Sequence, residues 1–273
     1  MYDAHLHLQD DRFDNCRAAV RRAAVAAGVT GGCCCGTSPH DWPAVCALAD
    51  QPSATTGFHL LPAFGVHPWY AGELPADWLT QLEALLQQYP AAPVGEIGLD
   101  GLRDHPSRAV QRQVLTAQLE LAVRLQRPVV LHGARAWGDL LAALRPIAPR
   151  LPGFVAHAFG GSADIQRELL AMGGFLSFAG TVCNPAAKHV RTAAASTPAE
   201  RLLIETDAPD LLPFQPKTGA SAPEQTLAIP AAVNHPAQLV TIAATLAELR
   251  GVTVAELGAL TTANAQLALN VVR

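Results

Sequence analysis

The sequence predicts an α/β fold, a closed (β/α)8 TIM barrel, and three observations carry that prediction. Eight short β-like runs alternate with longer helical patterns along the 273 residues. The runs are apolar almost throughout rather than alternating, which is how parallel strands buried on both faces read. Most of them end in a histidine or a carboxylate, and a barrel gathers all its strand C-termini on one rim. A doubly wound open sheet is the weaker alternative.

The first run covers 2–7 and contains Asp3-Ala4-His5-Leu6-His7. Side chains two apart on a strand share a face, so His5 and His7 are expected to project together while Ala4 and Leu6 face the other way. Such a pair can supply two nitrogen ligands to one divalent ion, with Asp3 placed to orient a ring. Taken alone, it also fits two partly buried, hydrogen-bonded histidines.

The later strand runs are 29–35, 60–66, 94–99, 128–132, 153–157, 174–179 and 202–206. Between them lie patterns with a repeat of about 3.6 residues. One is Val110, Val114, Leu115, Leu119, Ala122, Val123 and Leu125, closed by Pro128. After the eighth run comes a loop rich in Pro, Gly and Ala from Pro209 to about Pro236, then helical patterns from Ala237 to Arg250 and Val254 to Leu269. Thr253 with Glu256 three residues on resembles a capping box. No linker separates a second domain, so 1–273 reads as one barrel domain with a loop and helical C-terminal extension from about residue 209.

Composition narrows the class. Half of the residues are hydrophobic, charged residues make up 15%, and the net charge is −4 with only Lys188 and Lys217 as lysines. No global basic field advertises nucleic-acid binding, so a polyanionic substrate would need metal ions and local arginines. The six cysteines include the consecutive Cys33, Cys34 and Cys35. That spacing suits neither a disulfide framework nor a zinc knuckle, and it reads as reduced, buried thiols in a cytoplasmic protein. No signal-peptide pattern and no run of about 18 apolar residues is present, so no membrane association is expected.

Ligand-type residues fall at the strand ends. His67 follows the third run, Glu96 lies in the fourth and Asp100 after it, His132 ends the fifth and His157 the sixth, and Glu205 and Asp207 mark the eighth. Each alone is ordinary, but so many on separate strands of one rim point to a metal site. Most of His40, His59, His105, His189 and His235 are assigned to solvated loops or helices. Trp69 and Tyr70 suit either a pocket rim or an aromatic turn packed on the barrel. No G-x-S-x-G elbow occurs and Cys183 lies outside the cluster, so no covalent nucleophile is expected.

Six motifs carry a family resemblance. They are Asp3-Ala4-His5-Leu6-His7, Gly65-Val66-His67-Pro68, Gly95-Glu96-Ile97-Gly98-Leu99-Asp100, Val130-Leu131-His132, His157-Ala158-Phe159-Gly160-Gly161-Ser162 and Glu205-Thr206-Asp207-Ala208-Pro209. In this order the sequence resembles the TatD family of metal-dependent deoxyribonucleases, amidohydrolase-like barrel enzymes. The resemblance implies a site for two divalent ions (zinc, manganese or magnesium) bridged by Glu96, with His5, His7 and Asp207 completing one shell and His132 and His157 the other. It further implies that His67 contacts a phosphate or leaving group and that Glu205 supports the site. Asp207 would accept the proton of the attacking water. The expected substrate is DNA, with no obligate protein partner.

The departures concern substrate. The family usually places an arginine where this chain has Ala134, with Arg135 one residue later, and reads Arg-Asn-Glu-Pro where this chain has Val233-Asn234-His235-Pro236. Gly101 replaces an aromatic. Substrate contacts are then expected from Arg103, Arg135 and Asn234. Missing arginines weaken polynucleotide binding, which keeps two alternatives open. One is a hydrolase of small esters, lactones, amides or phosphotriesters, and the other is a non-catalytic metal-containing interaction protein.

Overall fold

Every apolar run becomes a strand: β1 Tyr2–Leu6, β2 Gly31–Cys35, β3 His59–Ala63, β4 Val94–Asp100, β5 Val129–Ala134, β6 Phe154–Ala156, β7 Phe175–Phe178 and β8 Leu202–Ile204. The computed structural model describes residues 1–214 and 232–270. Most of the long loop expected after β8 therefore lies outside the described residues. The helices are α1 Arg17–Ala26, α2 Trp42–Ala49, α3 Ser53–Thr56, α4 Trp78–Gln88, α5 Arg108–Leu125, α6 Trp137–Leu144, α7 Ala163–Ala171, α8 Lys188–Ser196, α9 Leu239–Arg250 and α10 Val254–Ala268. The capping box before α10 is formed, with Thr253 and Glu256 satisfying each other's backbone N–H.

All strand pairs are parallel, in the orders β1-β2-β3 and β4-β5-β6-β7-β8. Two seams join these runs into a ring. Between β3 and β4, Phe64 N–H donates to Pro93 O at 3.2 Å and Gly95 N–H to Phe64 O at 2.9 Å. Between β8 and β1, Asp207 N–H donates to His5 O at 3.0 Å and His7 N–H to Ala208 O at 2.7 Å. The fold is thus a TIM barrel, and the seams use backbone that directly flanks the chemical residues. Among the described residues these seams pair β3 with β4 and β8 with β1, the strands that end the two runs.

Two apolar layers hold the ring. Cys33, Cys35, Leu61, Ala63, Val130, Val155, Phe175 and Leu203 cluster inside the strands, joined by Ala265, Ala268 and Leu269 of the C-terminal region. The outer layer, from Leu6 to Leu257, packs strands against helices. Among the described residues no single helix is long and apolar enough to cross a membrane, and the apolar pair α9 and α10 is bent by 106°.

The strand register slips at two places, between Asp3 and Leu6 in β1 and between Val94 and Ile97 in β4. Both slips aim ligands inward, as bulges beside active sites do. In β1, Tyr2 and Ala4 belong to the inner cluster and Leu6 to the outer one. Strict alternation, which would set Ala4 and Leu6 on one face, fails because the slip turns Ala4 inward together with His5. In β4, Val94, Ile97 and Leu99 pack outward, and the slip leaves Gly95 and Glu96 both inside. A Cβ on Gly95 would stand 2.7 Å from the Val130 Cβ, so only glycine fits beside Glu96.

Asp3 does not orient a ring. Its carboxylate accepts from Thr206 N–H at 2.8 Å and from the Thr206 hydroxyl. It therefore ties β1 to the segment after β8. On the opposite side of the ring, the buried Gln118 of α5 accepts from Val66 N–H at 2.7 Å and donates to Val66 O at 3.2 Å. One amide thus satisfies both polar groups of the residue that precedes His67. Gln118→Leu is expected to destabilise the protein by roughly 2–4 kcal/mol in urea unfolding, because two buried backbone groups lose their partner. A change below about 0.5 kcal/mol would show that Gln118 does not hold this segment.

Candidate metal centre

The rim at the strand C-termini brings together every metal ligand expected from the sequence. Glu96 stands at its centre, and its two oxygens face different donor sets. On one side, Glu96 Oε2 lies 3.3 Å from His5 Nε2 and 3.4 Å from His7 Nε2. Asp207 Oδ1 lies 3.4 and 3.5 Å from the same nitrogens, which are 3.1 Å apart. On the other side, Glu96 Oε1 lies 3.0 Å from His132 Nδ1 and 2.8 Å from His157 Nε2, themselves 3.2 Å apart.

These spacings fit metal ions. Donors at about 2.0–2.1 Å from a tetrahedral ion are separated from one another by about 3.3 Å. The five separations on the Oε2 side, 3.1 to 3.5 Å, bracket that value. That side offers four protein donors, a closed shell. The Oε1 side offers three, Glu96, His132 and His157, the number that leaves a position for water or substrate.

The electrostatics make the same point. Burial opposes ionisation of Glu96, yet the imidazoles of His157, His67 and His5 outweigh it and hold its carboxyl well below the usual range. For Asp207 burial is likewise overcome, chiefly by His7, and its carboxyl is also held down. Two ionised carboxylates thus face neutral or protonated imidazoles in a buried rim. Such carboxylates call for positive charge beside them, which a divalent ion bound here would supply.

Groups behind the ligands set which ring nitrogen faces the centre. His7 Nδ1 lies 2.8 Å from Cys35 O, which presents Nε2 inward. His132 is reversed. Its Nε2 lies 3.0 Å from Asp100 Oδ2, so Nδ1 faces Glu96. The same Asp100 oxygen accepts from the Trp69 indole at 2.8 Å. Glu205 Oε1 accepts from Ala158 N–H and lies 3.4 Å from His157 Nδ1. Glu205 is fully buried behind His157 and does not line the cleft. Asp100 and the Cys35 carbonyl had no assigned role in the sequence. Asp100 was visible at the end of the fourth run, whereas a backbone carbonyl leaves no trace in side-chain identity.

His67 joins the same cluster, and with Glu96 and His132 it makes a group that could itself hold an ion. Its Nδ1 accepts from Trp69 N–H at 3.2 Å, so in the neutral ring the proton sits on Nε2. That nitrogen lies 3.5 Å from Glu96 Oε1, beside the open side of the centre, where it is a hydrogen-bond donor.

The substrate-contact expectations fare differently. The centre opens into a cleft of about 860 Å³, and Arg103, Arg135 and Asn234 do not line it. Asn234 is fully buried, and its amide donates to Thr206 O and Asp210 O, both at 2.8 Å. It clamps the loop that carries Asp207, a role that an amide in a buried turn serves as well as substrate binding. The Arg103 guanidinium lies over the Trp69 ring at 3.5 Å, and Arg135 is exposed. His235 is buried rather than solvated, whereas His40 is exposed at the cleft. All six cysteines are free.

Added zinc or manganese is expected to raise the Tm of chelator-stripped protein by several degrees, because the ions bind only the folded rim. Asp100→Asn, which leaves His132 without its carboxylate, should weaken metal affinity on the order of 10-fold without loss of fold. Unchanged affinity in this variant would remove Asp100 from the metal site.

Comparison with known proteins agrees with this geometry. A family model described as TatD related DNase matches residues 2–270. The "3'-5' ssDNA/RNA exonuclease TatD" of Cronobacter sakazakii is 35% identical over 266 residues, 97% of this chain and 96% of that protein. Among solved structures, a TatD homologue from Escherichia coli, YJJV, superposes with a TM-score of 0.87 at 30% identity, covering 100% of this chain and 98% of that one. A TatD family hydrolase from Entamoeba histolytica has a TM-score of 0.84 at 20% identity, with 97% and 96% covered, a likeness of fold alone. A ligand rim of this kind on a TIM barrel, matched over nearly its whole length, makes this chain a member of the TatD related DNase family, a TatD-type metal-dependent hydrolase.

Proposed function

We propose that the protein hydrolyses phosphodiester bonds at the ends of single-stranded DNA or RNA, using two divalent ions on either side of Glu96. The observation that carries this reading is the division of the Glu96 carboxylate, Oε2 toward four donors and Oε1 toward three. The Cronobacter relative, a 3'-5' ssDNA/RNA exonuclease, supports single strands and 3'-to-5' direction. A donor set rich in imidazole favours zinc or manganese over magnesium.

When bound, such a pair of ions supplies Lewis acidity toward the phosphoryl oxygens and brings the pKa of water near neutrality. The chain's own residues do the rest. Asp207 accepts the proton released by the attacking water. His67 donates its Nε2–H to a phosphoryl or leaving oxygen on the open side. Glu205, Asp100 and the Cys35 carbonyl hold the imidazoles in the tautomers that the site needs. No side chain forms a covalent intermediate. The six free cysteines suit a reducing compartment such as the cytoplasm.

The test is degradation of end-labelled single strands by the metal-loaded protein, beside a panel of esters, lactones, amides and phosphotriesters. Chelator should abolish cleavage, and Asp207→Asn should lower kcat by roughly 10³-fold, within the range for lost proton transfer. His67→Ala is expected to lower kcat by about 10²-fold with metal content unchanged, whereas His157→Ala should lose metal. Chelator-resistant cleavage, or faster turnover of the small esters than of any strand, would overturn the proposal.

A further inference from the structure

The cleft in front of the metal centre has the wrong charge for a substrate gripped by several phosphates. Apart from the metal ligands it is lined by Asp10, Asp11, Asp41, Glu73 and Asp210, and among the described residues Arg12 is its one lysine or arginine. That guanidinium is already engaged. It donates through Nε to Asp10 at 2.9 Å and through both terminal nitrogens to Asp210, each at 2.9 Å. Among the described lining residues no further lysine or arginine offsets Asp11, Asp41 and Glu73 for a strand whose successive phosphates ran along these walls.

The same cleft offers a different grip. Trp69 and Tyr70 line it on the short turn Pro68–Tyr70, which His67 begins. Tyr70 N–H donates to His67 O at 2.9 Å, so ring and imidazole are fixed to one turn, with centroids 6.4 Å apart. The Trp69 indole is committed, its N–H to Asp100 and one face to Arg103. Tyr70 is the more open ring, 45% exposed, with an apolar face and a polar hydroxyl tip. An aromatic face accepts any nucleobase by stacking, without demanding positive charge from the walls.

We propose that Tyr70 stacks a base of the nucleotide whose phosphate occupies the metal centre, and that this contact, not backbone phosphate binding, holds the substrate. The inference rests on the single-strand reading above but is tested by binding alone. One gripped phosphate gives a shallow salt dependence, a slope of log K on log salt of about −0.7, and each further phosphate engaged adds about as much. It also makes strand length unimportant beyond the first few nucleotides.

The experiment measures binding of fluorescein-labelled phosphorothioate single strands, four nucleotides long, to the metal-loaded protein, with an abasic strand of the same length as control. Wild type should bind the base-bearing strand at least about 10-fold more tightly than the abasic one. Tyr70→Ala should erase that preference, and Tyr70→Phe, which keeps the ring, should retain it. Equal affinity of wild type for both strands, a preference that survives Tyr70→Ala, or a salt slope steeper than about −2 would overturn the proposal. Base-selective binding without turnover would instead sink the hydrolytic reading and leave the stacking contact standing.

Discussion

The Glu96 carboxylate is the interaction on which the rest of this structure depends. It is almost wholly buried, 2% exposed, where an ionised group is unfavourable unless charge or hydrogen bonds meet it on every side. Imidazoles from five positions on four separate chain segments converge on its two oxygens. A carboxylate so placed stands between two donor sets, with separations of 3.1 to 3.5 Å on the Oε2 side and 2.8 to 3.2 Å on the Oε1 side. The carboxylates of Glu96 and Asp207 favour the protonated rings of His7 and His157, whereas burial disfavours protonation of His5 and His67.

The barrel serves this arrangement through details of register. Strict two-residue alternation cannot turn Ala4 and His5 inward together, nor Gly95 and Glu96. The slips in β1 and β4 do so, and both strands lie at a seam of the ring. The backbone bonds that close the β8 to β1 seam run from Asp207 and His7 themselves. Ring closure and ligand placement are thus one set of contacts. Asp3 and Asn234, one on each side of that seam, brace the segment of Thr206 to Leu211 from below and above.

How much of this was legible in the sequence follows from the same physics. The strands were visible because buried parallel strands are apolar throughout, and the ligands because a barrel sends every strand end to one rim. His5 and His7 could be paired from spacing alone. The slip beside them could not, since a bulge is a property of the ladder and the pentapeptide reads the same without it. The role of Asp3 escaped for a related reason, because its partner Thr206 is distant in sequence and becomes adjacent only when the ring closes. Asn234, Arg103 and Arg135 were assigned to substrate by their proximity to family positions. Their side chains instead meet carbonyls, an indole and solvent, and sequence position does not distinguish these outcomes.

The candidate metal rim lies in a cleft whose other walls carry Asp10, Asp11, Asp41, Glu73 and Asp210. The most direct measurement is a titration of chelator-stripped protein with zinc or manganese, following bound metal and cleavage of an end-labelled single strand in the same samples. The account predicts uptake of two ions per chain, with cleavage appearing as the second, three-donor position fills. Full cleavage by stripped protein, or saturation at a single ion with full activity, would contradict it.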